Sequence, residues 1–531
     1  MTESKFPGIF SFELDARAED SPDVEILTFE NGAHADEVLT YGKIVANGRK
    51  LARRLQDAGF GHGDVLALLM RNHPEFIYAL YATNAIGAIL LPIDPRTKGK
   101  RLEFVLKNAN TKGVIFTSEF QKNILPVLEN IADIEIIGVA CKEGMEGAGD
   151  LPDLNAVWNA PDAPEPAPRC SDPNAPVEII YTSGTTGDPK GVVLKNNRFA
   201  PFSVLAKAVF QFNETDRLYT GLSLTHGNAQ AVTMIPSLYL GIPAVISTRF
   251  TKSRIWDICR QYGCTIFSLL GGMMMGIFSE PEKPDDADNP VRLVLSAGTP
   301  RAIWKAFEKR FGVFIHEWYG AVEGGFAHNP PGVGPIGSFG KPLQGVMEMK
   351  VVREDDTECE PFEKGEIVCR AVGQKTEVDY LGKREASEKK TRAGWLRTGD
   401  VGHVDENGWF FFDYRKGGGL RRSGDFIQPG DVEAAFAQHD DITDVCVYGI
   451  PAASGAPGES DLVAAIVLAD GATLDIDGLL AHCRKLLDGN SIPSYLQVVK
   501  AIPKSASEKN LDRLLKDEFK KDADNVYAFA G

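Results

Sequence analysis

From Leu39 onward the chain repeats one pattern, a helix-length amphipathic stretch followed by a short, almost wholly apolar run. LTYGKIVANGRKLARRLQDAGF carries apolar residues at helical spacing and closes on glycine, and VLALLM follows it. Next come helical PEFIYALYATNAIG, apolar AILLPI, helical LEFVLKNAN and apolar GVIF. A short apolar run between turn signals suits a strand buried on both faces, and strands alternating with helices predict a helix-wound parallel sheet. The rhythm returns after Leu218, in RLVLSAG, IWKAFEKRFG and VFIHEWYG. Two such blocks predict an α/β fold with a large N-terminal region of helix-flanked sheet subdomains. Beyond them VEAAFAQ, ITDVCVYGI, LVAAIVLA and IDGLLAHCRKLL predict a small, mobile α+β C-terminal domain.

Punctuation places the boundaries. PDAPEPAPRCSDPNAP, residues 161–176, is rich in proline and acid and reads as an exposed connector. In RKGGGLRRSG, Gly417, Gly418 and Gly419 free the backbone as an interdomain hinge requires, although a loose hairpin turn fits the same stretch equally well. The expected division is residues 1–414, a hinge at 415–419, and residues 420–531. A chain of 531 residues is too long for one compact core, and 43% hydrophobic with 24% charged residues is ordinary for a soluble globular protein. A net charge of −16 argues against a general grip on nucleic acid or an anionic membrane, but leaves room for a local basic pocket. The first residues, MTESKFPGIFSFELDARAED, show no secretory signal, and apolar runs such as AIGAILLPI are too short for a membrane span. The eight cysteines are scattered without a C-x-x-C pair, which predicts reduced thiols in a cytoplasmic protein.

YTSGTTGDPKG, residues 181–191, lies between two strand-like runs, VEIIY and GVVL. Gly184, Gly187 and Gly191 would let backbone amides approach an anion closely. Thr182, Ser183, Thr185 and Thr186 would add hydroxyl donors, and Lys190 a point charge. It is not a Walker loop, because Lys190 is followed by glycine and no helix pattern comes next. Composition alone fits a phosphate clamp and a hydroxyl-rich turn equally.

The order of residues in this loop resembles the phosphate-binding signature of the adenylate-forming superfamily, which includes acyl-CoA synthetases, and further motifs follow in the family's order. EWYGAVEGG, residues 317–325, resembles a motif whose tyrosine, here Tyr319, lies against adenine and whose glutamate, here Glu323, holds Mg²⁺. Val322 stands where the family usually has threonine. SAGTP, residues 296–300, is similar to the loop beside adenine and the acyl group, which implicates Ala297, Gly298 and Thr299. GWLRTGDVGHVDENGWFFF implies that Asp400 binds both ribose hydroxyls, work suited to a carboxylate that accepts two hydrogen bonds. DYRKGGGLRRSG resembles the hinge motif, with Arg415 toward the nucleotide, Gly417 at the hinge and Gly424 lining the pantetheine tunnel. IPKSASEKNLDR resembles the C-terminal motif whose lysine, here Lys509, is catalytic, while Glu508 replaces the usual glycine.

The resemblance implies an N-terminal AMP-binding and acyl-binding domain, a C-terminal AMP-binding domain, and ATP, Mg²⁺, coenzyme A and a small carboxylic acid as ligands. Lys509, Thr186, Glu323 and His226 are the implied catalytic set. The implied reaction is AMP-forming acid:CoA ligation; delivery of the adenylate to a carrier protein and a catalytically silent nucleotide-binding homologue are the alternatives. His226, in LSLTHGNAQAV, matches a gate residue of acyl-CoA ligases, against the competing reading of a structural histidine. That stretch lacks the aspartate of amino-acid-activating domains. HGNAQAVT with FSLLGGMMMG is more loosely similar to carnitine and crotonobetaine CoA ligases. Met273, Met274 and Met275 fit either an acyl tunnel or core packing, and Trp318 either a shortened pocket or the core.

Overall fold

The structure, a computed structural model, describes residues 8–182, 189–416, 420–422, 425–453, 460–487, 489–505 and 508–529. Val65–Leu69, Ile89–Ile93 and Thr111–Thr117 are parallel strands linked by helices Pro74–Ile86 and Gly99–Asn108. Along the first of them Leu66 and Leu68 enter one core while Val65, Ala67 and Leu69 enter another. Side chains alternate across a strand, so burial on both faces is what makes this segment read as an unbroken apolar run. The helix Tyr41–Asp57 before it starts where Thr40 Oγ1 accepts the Lys43 N–H at 3.2 Å.

Two large sheets result. One has six strands, in the order Glu135–Ala140, Thr111–Thr117, Val65–Leu69, Ile89–Ile93, Pro176–Thr182 and Lys190–Lys195, with only the last pair antiparallel. The other has thirteen strands. At its centre Phe314–Ala321, Leu293–Ala297, Ile266–Leu270, Leu218–Thr220, Ala244–Ser247 and Glu25–Glu30 run parallel and side by side. Its flank beyond Phe314–Ala321 is antiparallel and includes the hairpin of Leu396–Val404 with Phe410–Arg415. Farther along the chain, Ile442–Pro451, Ser460–Leu468, Tyr495–Val498 and Val526–Ala528 form a separate four-stranded mixed sheet. Val445 and Val447 pack on one face of it, Cys446 and Tyr448 on the other. The architecture is therefore α/β, a large sheet-based N-terminal region with a smaller C-terminal unit. No helix among the described residues is long and apolar enough to cross a membrane.

The connector departs from expectation in one respect. Residues 161–175 contain no helix or strand and are mostly exposed, and Pro176 already opens a strand. Yet the Arg169 side chain is only 9% exposed; it pairs with Asp15 and lies 3.7 Å over the Phe12 ring. Asp15 also accepts from the Tyr81 hydroxyl at 2.7 Å and from Arg49 Nη2 at 3.1 Å. The proline-rich segment is thus stapled to the first helix, Phe10–Asp20. Removing one member of a buried ion pair leaves the other charge undercompensated. Arg169→Met should therefore lower stability by about 3 kcal/mol, read as a fall in the urea midpoint, with Arg169→Lys recovering part of it.

Candidate active site

Four neighbouring parallel strands of the large sheet bring their C-terminal ends to one side, where open α/β sheets characteristically bind ligands. His226 follows Leu218–Thr220, and Gly271 follows Ile266–Leu270. Gly298 and Thr299 follow Leu293–Ala297, and Tyr319 and Glu323 lie at the end of Phe314–Ala321. The loop at Gly298 is anchored by Glu317, a buried carboxylate on the adjacent strand. Glu317 Oε1 accepts the Gly298 N–H at 2.6 Å, and Oε2 accepts the Thr299 N–H at 3.1 Å and the Thr299 hydroxyl at 2.6 Å. Burial pushes the Glu317 pKa up to about 7 against these donors, which pull it down. Thr299 thereby commits its own donors to the scaffold. Gly271 allows the loop to sit this low, since a Cβ there would lie 2.0 Å from the Gly298 carbonyl oxygen.

Tyr319 stacks on Phe339, with ring centroids 4.5 Å apart and 27° between planes, and its hydroxyl donates to Asp400 at 2.5 Å. Asp400 sits opposite Arg415 across the hairpin, 3.6 Å from the guanidinium. Glu323 accepts a hydrogen bond from the Tyr380 hydroxyl at 2.8 Å, and Lys190 Nζ lies 5.1 Å from the centroid of the same ring. Tyr380 reaches the site because its segment runs beside Lys190–Lys195: Val193 donates to the Asp379 carbonyl and Leu381 to that of Gly191, both at 2.9 Å.

Lys509 arrives from the C-terminal unit on a tight turn. Ser505 N–H donates to the Lys509 carbonyl and Leu511 N–H to that of Pro503, each at 2.8 Å. The side chain is solvent-accessible, but the cleft walls strip enough water from the ammonium to lower its pKa. Arg415 pushes the same way, while Asp400 and Glu323 oppose it. Desolvation also lowers Lys390, whose Nζ donates to the Thr398 carbonyl at 3.0 Å and which feels Glu323, Arg415, Asp400 and Lys190. Arg198 is lowered by desolvation too, faces Glu323, and has no hydrogen bond or ion pair among the described residues. Five cations therefore gather around two carboxylates, in a chain of net charge −16. Such a cleft calls for a polyanion.

His226 caps the short helix Gly227–Ala229, its Nδ1 accepting the Asn228 N–H at 3.2 Å. Burial, reinforced by Lys509, holds its pKa down at about 3, so the ring is neutral. A neutral ring whose Nδ1 is an acceptor carries its proton on Nε2, so the ring has a single N–H to donate. No cluster of three or more His, Cys, Asp or Glu suited to a metal exists among the described residues. Glu323, half-buried and with one oxygen held by Tyr380, fits a hard cation that completes its shell with ligand oxygens and water.

The structure thus brings together Lys190, His226, Tyr319, Glu323, Asp400, Arg415 and Lys509. Thr182 lies opposite Lys190 in the strand register, and Ala297 ends the strand before Gly298. Ser183, Gly184, Thr185, Thr186, Gly187, Gly424 and the glycines at 417–419 lie outside the described residues. Trp318 turns into the core beside Phe210 and Phe326, and Met273 and Met274 are core residues as well. Arg198, Glu317, Tyr380 and Lys390 enter the site without a signal in the sequence reading.

Residues 14–374 match the family described as AMP-binding enzyme, and residues 431–509 match the AMP-binding enzyme C-terminal domain. The chain belongs to the AMP-binding enzyme family. Among curated members, the sulfoacetate–CoA ligase of Cupriavidus necator is 28% identical over 93% of this chain and 95% of its own length. The crotonobetaine/carnitine–CoA ligase of Citrobacter koseri is 27% identical over 92% and 95%. Long-chain fatty acid transport protein 2 of Rattus norvegicus is 25% identical over 91% and 82%. Two solved AMP-binding folds superpose closely. The anthranilate CoA ligase AuaEII with anthranoyl-AMP gives a TM-score of 0.82 at 22% identity, covering 96% of each chain. The o-succinylbenzoate CoA synthetase of Bacillus subtilis with its acyl-adenylate gives 0.78 at 24% identity, covering 96% of this chain and 98% of the other.

The geometry at Gly271 sets a test of how this site is assembled. In Gly271→Ala the new methyl group meets a backbone carbonyl that cannot swing aside. A stability loss of about 1–3 kcal/mol is expected in thermal unfolding, together with loosening of residues 296–300 detected by hydrogen exchange. Gly430→Ala is the control, a glycine in the first turn of helix Pro429–Phe436 with open space around it and no left-handed φ.

Proposed function

We propose that the protein is an AMP-forming carboxylic acid:CoA ligase. It joins an acid to the α-phosphate of ATP with release of pyrophosphate, then passes the acyl group to the thiol of coenzyme A with release of AMP. The observation that carries this reading is the convergence of Lys190, Lys390, Arg415 and Lys509 on Glu323 and Asp400. Both reactants of the first step are anions, so the chemistry depends on neutralising charge and aligning the attacking carboxylate with the scissile P–O bond.

Lys190 with the glycine-rich loop, and Lys390, hold the β- and γ-phosphates in this reading. Asp400 accepts from the ribose hydroxyls, Tyr319 borders adenine, and Arg415 faces the ribose–phosphate edge. Lys509 lies between the acid and the α-phosphate, where negative charge concentrates as the acid oxygen attacks and pyrophosphate leaves. His226, neutral and donating through Nε2, orients the acid without adding charge. Mg²⁺ bound at Glu323 would neutralise phosphate oxygens. Residues 415–419 act as the hinge between residues 1–414 and 420–531, about which Lys509 withdraws before the thiol attacks. All eight cysteines are free thiols, in keeping with a reducing, cytoplasmic setting.

The deciding assay is pyrophosphate release with ATP and a panel of sulfoacetate, crotonobetaine, anthranilate, o-succinylbenzoate and palmitate, with and without coenzyme A. AMP and a thioester are expected with one class of acid, and a protein that turns over none of them loses the ligase reading. Lys509→Ala should slow adenylate formation by at least roughly a hundredfold while sparing thioester formation from a supplied acyl-adenylate. Arg198→Met should raise the KM for ATP roughly tenfold, the scale of one hydrogen bond to a charged group.

A pH profile tests the electrostatics. Lys509 works protonated, so kcat/KM for ATP falls as pH rises through its pKa. Because that pKa is lowered, the fall begins below the ordinary lysine value of 10.5. Arg415 pushes the pKa down and Asp400 pushes it up, so Arg415→Gln should move the alkaline limb to higher pH and Asp400→Asn to lower pH. A limb indifferent to both substitutions removes Lys509 from the titration.

A further inference from the structure

Glu508 is the least expected residue of the C-terminal motif, since it stands where the resemblance places glycine. The backbone shows why glycine suits the position: Glu508 has a φ of +56°, in the left-handed region that disfavours a side chain. The side chain is not idle. Glu508 Oε1 accepts from Arg96 Nη2 at 2.8 Å, with the glutamate 17% and the arginine 43% exposed. Arg96 Nη1 donates at 2.6 Å to the carbonyl of Lys504 and also to that of Ser505. One guanidinium therefore grips both arms of the turn that carries Lys509.

Arg96 is itself firmly mounted. It follows the strand Ile89–Ile93 of the six-stranded sheet, and Asp94 Oδ1 accepts its N–H at 2.9 Å while the Asp94 carbonyl accepts that of Thr97 at 2.8 Å. On the other side the turn rests on Gly272, where a Cβ would lie 3.2 Å from the Glu508 carbonyl oxygen. The contact borders an open cleft of about 570 Å³ between the two units, lined also by Lys252, Thr443 and Lys504. The Lys504 side chain is engaged with Asp444 at 2.6 Å, inside its own unit.

We propose that Arg96 is a positioning residue for adenylation, seating the Lys509 turn against the N-terminal region, and that Glu508 completes this seat in place of glycine. Arg96 touches neither reacting group; it acts through the turn. The inference rests on the ligase reading and on Lys509 serving the first half-reaction. Because Arg96 and Glu508 stand on different units, their contact exists only while the turn is docked. It favours adenylation and is released before thiol attack.

The test uses the full-length protein, ATP, and the acid turned over best in the panel above, together with that acid's preformed adenylate and coenzyme A. Arg96→Ala should slow pyrophosphate release roughly tenfold to a hundredfold, as expected when a catalytic group is displaced by about an ångström, with KM for ATP unchanged. Thioester formation from the supplied adenylate should stay at the wild-type rate, which also shows that the variant is folded. Glu508→Gln should give a smaller loss in the same half-reaction, and the Arg96→Ala/Glu508→Gln double variant should be no slower than Arg96→Ala alone, because the two side chains form one contact. Arg96→Lys should recover part of the rate. Equal loss in both half-reactions, full additivity of the two substitutions, or adenylation indifferent to Arg96 each overturns the proposal. If the wild type itself releases no pyrophosphate with any acid, the ligase reading fails instead, before any variant is compared.

Discussion

Lost water and repulsion between like charges together govern this cleft. Two unit charges about 4 Å apart repel by about 4 kcal/mol at an effective dielectric near 20, and the site assembles five cations. Glu323 and Asp400 offset part of that repulsion, and the Tyr380 ring beside Lys190 and the Thr398 carbonyl beside Lys390 offset a little more. The lowered pKa values of Lys390, Lys509 and Arg198 record lost water first, joined at the two lysines by repulsion from Arg415. In the proposed reaction a triphosphate would supply the missing negative charge, beside carboxylates already engaged by Tyr319 and Tyr380.

Charge is withheld with equal care. His226 stays neutral because it is buried beside Lys509, and its N-capping bond fixes which nitrogen bears the proton. Glu317 supports the Gly298 loop from beneath, with a pKa raised to about 7 by burial. The parallel centre of the large sheet makes this division possible. Adjacent strand ends place Tyr319 and Glu323 at the mouth of the site and the hydrogen-bonded Glu317–Thr299 anchor behind it.

Much of this was legible in the sequence because it is local. Continuous apolar runs identified the doubly buried strands, and the glycine-rich string, GWLRTGDVGHVDENGWFFF and the C-terminal string carried Lys190, Asp400 and Lys509 in order. What escaped is what long-range pairing supplies. Tyr380 is an unremarkable tyrosine until its segment aligns beside Lys190–Lys195, almost two hundred residues earlier in the chain. Lys390 closes REASEKK, which reads as a solvated helix face, and Arg96 is one basic residue among several in PRTKGKR. Trp318 had two plausible destinations, and the Phe210–Phe326 aromatic cluster decided for the core.

The neighbouring glycines at 271 and 272 form a common wall. The carbonyl of Gly298 leans on one and that of Glu508 approaches the other, with no side chain between to absorb movement. One surface belongs to the nucleotide-side loop and the other to the turn that brings the lysine. A side chain on either glycine would push on its neighbour's backbone, so the loop and the turn both depend on this wall staying bare. Backbone contact at this wall thus adds to the Arg96 side-chain contacts in fixing where the turn docks.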